Sequence, residues 1–209
     1  MQRNSVRAAS SFVGRNRLPP RLKQQILAYM CLKFRAESLN QQQLIDQLPK
    51  SIYKSICEQL FLPVVKDVYL FKGVSREGLL CLVTKMKPEY IPPREDVIVQ
   101  DEAPEDVYVV VSGEVEAVRV DGVDERVEAT LGARDIFGEA SALSDRAQGF
   151  TFRTRTLSQL LRLKQATLKE VMQSRPEDSV VIIKNFLKVG RRLLVPIASH
   201  HISLLVISD

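Results

Sequence analysis

The stretch Asp135-Ile-Phe-Gly-Glu-Ala-Ser-Ala-Leu-Ser-Asp-Arg-Ala-Gln-Gly-Phe-Thr-Phe-Arg-Thr154 decides the fold. Phe137-Gly138-Glu139 closes one predicted strand and opens a short helical turn through Leu143, and a second strand runs from Phe150 to Thr154. Glycine reaches backbone conformations that a Cβ forbids, and the first turn of a helix presents unpaired N–H groups to an anion. Strand, glycine, short helix and return strand therefore make a phosphate cradle. They also make an ordinary tight turn in an all-β domain, and from these residues alone the two readings stand level.

Composition narrows the setting. The apolar fraction is 45% and the length of 209 residues accommodates one compact domain with an appendage. Cys31, Cys57 and Cys81 are odd in number and widely spaced, which suggests reduced thiols on helices and an intracellular compartment rather than a disulfide framework. The only histidines, His200 and His201, lie in the tail, so neither a His-containing metal site nor a Ser/His/Asp set is expected within the β region. The sequence has no run of about 18 apolar residues of the kind that spans a bilayer. Charge is divided unevenly. Residues 1–39 hold eight Lys and Arg against Glu37 alone, whereas residues 87–164 hold ten basic and sixteen acidic side chains. A basic arm beside an acidic domain is compatible with nucleic acid, but no stacking platform or recognition helix accompanies it, and nucleic acid is not an expected partner.

Taken in order, the chain begins with helical stripes. Leu18-Pro19-Pro20 breaks the first, and Leu22, Ile26, Leu27, Tyr29, Met30, Leu32 and Phe34 make a stripe wider than one core-facing seam requires. Ile52, Ile56 and Leu60 at spacing four predict a helix over 50–60, and Ser75 predicts the cap of another that runs to Lys85. After Pro92-Pro93 the apolar period shortens to two, with strands at 97–100, 107–111, 115–120, 126–131 and 159–163. Ser112-Gly113, Asp121-Gly122 and Leu131-Gly132 supply turns. Residues 166–172 read as helical. Ser174-Arg-Pro-Glu177 has capping-box spacing before a final helix whose stripe is Val180, Ile183 and Leu187, whose stop is Gly190, and which is positioned to lid the barrel. The expected architecture is α+β: an N-terminal helical linker layer over 1–74, a jelly-roll β domain over 75–190 with a short cassette helix and two C-terminal helices, and a divergent tail over 191–209.

The order Phe-Gly-Glu, short helix, return strand resembles the phosphate-binding cassette of cyclic-nucleotide-binding domains. Val6-Arg-Ala-Ala-Ser, Arg15-Asn-Arg-Leu-Pro, Tyr69-Leu-Phe, Gly73-Val-Ser, Pro92-Pro-Arg-Glu-Asp, Glu102-Ala-Pro, Val111-Ser-Gly, Phe150-Thr-Phe-Arg-Thr and Leu157-Ser-Gln-Leu-Leu-Arg-Leu resemble plant Shaker-type voltage-gated potassium channels. The resemblance implies a linker joining a membrane pore to the roll. Phe137, Gly138, Glu139, Gln148, Gly149 and Thr151 would then form a degenerate ligand cassette, with Glu139 facing a ribose hydroxyl. Gln148 falls where the family's ligand-gated members carry an Arg for the cyclic phosphate. Arg153 lies four residues beyond Gly149, about 13 Å along a strand, and is poorly placed to replace it. Cyclic nucleotide is accordingly expected to bind weakly or not at all, and no cofactor or metal is expected. Leu22, Ile26, Met30 and Phe34 are the expected subunit contact, the partners being other channel subunits in a tetramer.

The chain lacks the membrane segments and pore of such channels, and residues 191–209 show no resemblance to them. It is therefore expected to be a truncated cytosolic regulatory and assembly region of a voltage-gated potassium channel of the inward-rectifying type. It would be membrane-associated through its partners, not conducting alone, and not an enzyme. The alternative is a soluble cyclic-nucleotide-responsive regulator, against which stands the lack of a second roll or of a helix-turn-helix after Gly190.

Overall fold

The computed structural model describes residues 48–193 with the exception of Pro104. Leu22, Ile26, Met30, Phe34, Cys31 and the tail beyond Leu193 lie outside these residues. The helical layer consists of α1 (Lys50–Leu60), the single turn α2 (Leu62–Val65), a 3-10 turn at Tyr69–Phe71 and α3 (Arg76–Lys85). Ser75 caps α3 as its sequence predicts, its hydroxyl accepting the Gly78 N–H at 3.0 Å. Cys57 on α1 is buried and Cys81 on α3 is half-buried, both as free thiols.

Eight strands follow: β1 (Lys87–Ile91), β2 (Asp96–Ile98), β3 (Asp106–Ser112), β4 (Val115–Asp121), β5 (Asp124–Leu131), β6 (Ile136–Phe137), β7 (Thr151–Thr154) and β8 (Ser158–Lys164). The cassette helix α4 (Glu139–Ser144) lies between β6 and β7, and α5 (Gln165–Ser174) and α6 (Pro176–Leu193) end the described chain. The strands form two antiparallel four-stranded sheets, in the orders β1-β8-β3-β6 and β2-β7-β4-β5. β1 precedes the proline pair after which strands were expected. Pro88 obscures its signal and is tolerated because β1 is an edge strand, where a missing donor disrupts no central ladder.

The two sheets are buried differently. β3 and β8 are apolar on both faces. Val107, Val109, Leu161 and Leu163 pack with Leu70, Phe71, Leu82, Leu168 and Ile182 of the helices, while Tyr108, Val110 and Leu160 face the roll interior with Ile98, Val115 and Phe137. The uninterrupted run Val107-Tyr-Val-Val-Val follows from this, since a strand covered on both sides has no polar alternate. β5 is exposed along nearly its whole length.

Three expectations fail at the last helix. Ser174 ends α5, and its hydroxyl donates to the Val171 carbonyl at 2.9 Å, so it caps nothing in α6. Helix α6 continues through Gly190 to Leu193. Its stripe is turned outward: Val180 is 67% and Leu187 58% exposed, while Ile182 is 1% exposed. Polar anchors set this rotation. Asp178 accepts the Ser75 N–H and hydroxyl, each at 2.8 Å. Asn185 donates to the carbonyls of Leu70 and Lys72 at 3.1 and 2.7 Å. Asp178, Ile182 and Asn185 share one helix face at spacings of four and three, and that face meets the 3-10 turn and the start of α3. The helix therefore closes over the helical layer rather than lidding the roll. In α1 the same inversion occurs, with Cys57 buried and Ile52 and Leu60 48% and 58% exposed.

The Asp178 anchor has a measurable consequence. Asp178→Ala removes two charge-assisted hydrogen bonds at a buried position and should lower stability by about 2–3 kcal/mol. Chemical denaturation would show the midpoint falling with the m-value unchanged. A loss below about 0.5 kcal/mol, the scatter of ordinary surface changes, would show that packing alone seats α6.

Candidate ligand cassette

Strand β6 is only two residues long, but it pairs with β3 through Tyr108↔Phe137 and Val109↔Ile136 and so fixes where the cassette leaves the sheet. Phe137 is 1% exposed. Its ring stacks on Tyr108 at 5.3 Å and on Phe152 at 4.8 Å, which ties the strand before the cassette to the strand after it. Gly138 caps α4 with φ 82° and ψ −11°, and a Cβ there would lie 2.7 Å from the Asp106 carbonyl oxygen. Both the left-handed backbone and the close approach to β3 require glycine. Asp145, also left-handed, ends the helix and accepts from Lys169 at 2.5 Å and Gln165 at 2.7 Å, which fastens the cassette to α5.

The six candidate residues lie at the two ends of the cassette, Phe137, Gly138 and Glu139 where α4 begins and Gln148, Gly149 and Thr151 where the chain enters β7, in unequal roles. Glu139 opens α4, is half-buried, and accepts the Tyr69 hydroxyl at 2.8 Å. Burial raises its pKa, offset in part by that hydroxyl and by the backbone N–H groups of Glu139 and Ala140. Gln148 is 3% exposed. Its N–H donates to the Glu102 carbonyl at 2.9 Å and its carbonyl accepts from Asp101 at 2.8 Å, so its backbone stitches the cassette to the loop after β2. Thr151 is buried, its hydroxyl accepting the Gln100 N–H at 3.0 Å. Gly149 is exposed, with open space where a side chain would stand.

Arg153 is unavailable to the cassette, as its distance along the strand implied. Its guanidinium grips Asp96 at 2.6 Å and Glu125 in a bidentate pair at 2.7 and 3.0 Å. These bonds, Glu125 first, hold its pKa above the usual arginine value. Arg146 is exposed on the loop. Besides Lys169, a cation that approaches is Arg119 of β4, which sequence reasoning missed and which lies over the Phe150 ring. Its guanidinium carbon lies 5.0 Å above the Phe150 ring, and its Nε is buried without a hydrogen bond, 3.9 Å from a Glu128 carboxylate oxygen. A signal existed: Val115, Ala117 and Arg119 alternate along β4, so a charge falls at the next position after two buried apolar ones. Gln100 was missed too; its side-chain amide exchanges two hydrogen bonds with the backbone of Val120 and ties β2 to β4.

Among the described residues no group of three or more His, Cys, Asp and Glu is set to hold a metal, and no helix is long and apolar enough to cross a membrane.

Comparison with known proteins agrees with this geometry. Residues 88–175 match the cyclic nucleotide-binding domain family. The chain is 82% identical over 187 residues to potassium channel AKT2 of Oryza sativa subsp. japonica, covering 89% of this chain and 22% of that one. It is 66% identical over 191 residues to potassium channel AKT2/3 of Arabidopsis thaliana, covering 91% and 24%. It thus spans roughly a quarter or less of the length of these relatives. The fold is shared with the Thermus thermophilus catabolite activator protein, at TM-score 0.54 and 24% identity over 62% of this chain and 59% of that one. It is shared also with the cAMP-bound regulatory domain of Toxoplasma gondii PKA, at TM-score 0.53 and 24% identity over 56% and 44%.

The cassette's chemistry sets an expectation for ligand. Calorimetry on the whole chain should detect no low-micromolar binding of cAMP or cGMP. Gln148→Arg should tighten whatever binding exists by about one to two decades, and should lower the melting temperature because the position is buried. Low-micromolar affinity in the unmodified chain would refute the expectation.

Proposed function

We propose, from the premise that this chain is related to the plant Shaker-type potassium channels, that it is the cytosolic regulatory and assembly region of such a voltage-gated channel, of the inward-rectifying type. In this reading it works beside the membrane by associating with other channel subunits, homo- or hetero-oligomerically and in fours, and conducts nothing alone. Cyclic nucleotide is at most a weak ligand.

One observation carries the reading. The similarity to potassium channels reaches across about nine-tenths of the chain, well beyond residues 88–175 of the nucleotide-binding domain. The helical layer is therefore part of what is shared with the channels. The packing supports the same view, because the layer and the roll are joined through one core. Any load applied to the helices reaches the sheet through side chains in contact. Gln148, in a position where an arginine would bind phosphate, favours assembly over ligand sensing as the main task.

Assembly is testable on the whole chain, which is preferable to fragments because separating the roll would strip the cover from Val107, Val109, Leu161 and Leu163. Light scattering should give a multimer. Ile26→Asp should reduce it to a monomer, because an unpaired charge buried at an apolar contact is costly. Co-expressed with a plant-type channel, the chain should alter current amplitude by occupying subunit interfaces, and Ile26→Asp should abolish that effect. A monomer in both forms, or an unaltered current at confirmed expression, would reject the assembly role.

A further inference from the structure

Tyr69 and Glu139 are 70 positions apart in the chain and joined by a 2.8 Å hydrogen bond. The 3-10 turn that carries Tyr69 cannot readily swing away. Leu70 and Phe71, which follow Tyr69 in that turn, are fully buried, and Asn185 of α6 holds the carbonyls on the turn's other side. On the cassette side, Ala142 and Leu143 of α4 pack into the same core as Tyr69. The carboxylate therefore meets its partner on the helical side of the cassette, whereas the roll interior is lined by Tyr108, Phe137 and Phe152. Burial raises the pKa of both groups, and the hydrogen bond holds the proton on the tyrosine.

We propose that the Tyr69 hydroxyl is the standing occupant of the cassette carboxylate, a latch by which the helical layer takes the acceptor that a hydroxyl-bearing ligand would need. Cassette opening and movement of the 3-10 turn are then one event, since Glu139 cannot turn toward the roll interior without releasing Tyr69. A ligand hydroxyl would compete with the linker for Glu139, and a chain without ligand keeps its cassette coupled to the helices. This inference rests on the cassette reading and not on the assignment to a channel.

Hydrogen exchange on the whole chain tests the latch, using Tyr69→Phe, Glu139→Gln and the double variant, with Tyr90→Phe as a control for losing a tyrosine hydroxyl elsewhere. Tyr69→Phe should speed exchange of amides 139–148 roughly five- to fifteen-fold and leave those of β3 and β8 unaltered. The double variant should exchange no faster than the faster single one, because Tyr69→Phe already removes the bond that Glu139→Gln, which keeps an acceptor oxygen, only weakens from charge-assisted to neutral. Unchanged cassette exchange in Tyr69→Phe, acceleration spread evenly over the sheets, or additive effects in the double variant would overturn the proposal. Competition is read in a Gln148→Arg background, where adding Tyr69→Phe should tighten cAMP several-fold and 2′-deoxy-cAMP not at all. Equal tightening of both nucleotides, or of neither, would overturn the occupancy. Because these measurements need no partner subunit, an unaltered channel current would leave them standing.

Discussion

Burial of the central strands β3 and β8 on both faces is the constraint on which the rest of the molecule depends. Tyr108, Val110 and Leu160 need the opposing sheet to cover them, and Val107, Val109, Leu161 and Leu163 need the helices. Exposing a side chain of this kind costs roughly 1.5–3 kcal/mol, so uncovering the four that face the helices would consume much of a domain's net stability. The helical layer is thus a structural half of the roll. Within the described residues, sequence-distant elements such as α3, α6 and β8 pack into one core.

Polar anchors refine what the apolar core holds only loosely. A core resists exposure but tolerates rotation of a helix about its axis, since one apolar side chain replaces another at little cost. Asp178 on Ser75, Asn185 on the 3-10 turn and Tyr69 on Glu139 each specify a single alignment, because a half-buried polar group left unpaired is penalised. These three contacts surround the turn at Tyr69–Phe71. That turn is the junction of linker, cassette and final helix, although it is only three residues long.

The solvent-facing sheet and the cassette show the opposite economy. Arg153 is neutralised by Asp96 and Glu125, and Arg155 lies within 3.6 Å of Glu116, so the basic side chains there are used to hold β2, β4, β5 and β7 together. The roll interior is filled by stacked rings. The cassette itself is a glycine-capped backbone turn whose carboxylate, Glu139, is engaged by Tyr69 of the helical layer and whose Gln148 is buried.

Much of this was legible in the chain. Gly138 and its strand–helix–strand setting, the Ser75 cap, the strand Val107-Tyr-Val-Val-Val and the glutamine at 148 are all local matters, decided within a few residues by backbone sterics, by capping or by side-chain identity. The failures share a cause as well. Val180, Ile183 and Leu187 make a proper helical stripe, yet anchors at Asp178 and Asn185 turn a different face inward. Pro88 hid an edge strand, and Ser174 was drawn into the preceding helix. Sequence alone determined most of the segments that become helix, strand and turn, and the glycine-capped turn that opens the cassette. Only the tertiary structure decided who partners whom: Glu139 with Tyr69, Arg119 with Phe150, α6 with the linker. Those pairings join positions 31 to 115 residues apart, and they depend on strand register and helix rotation, which are properties of the assembled core that no short window of sequence contains.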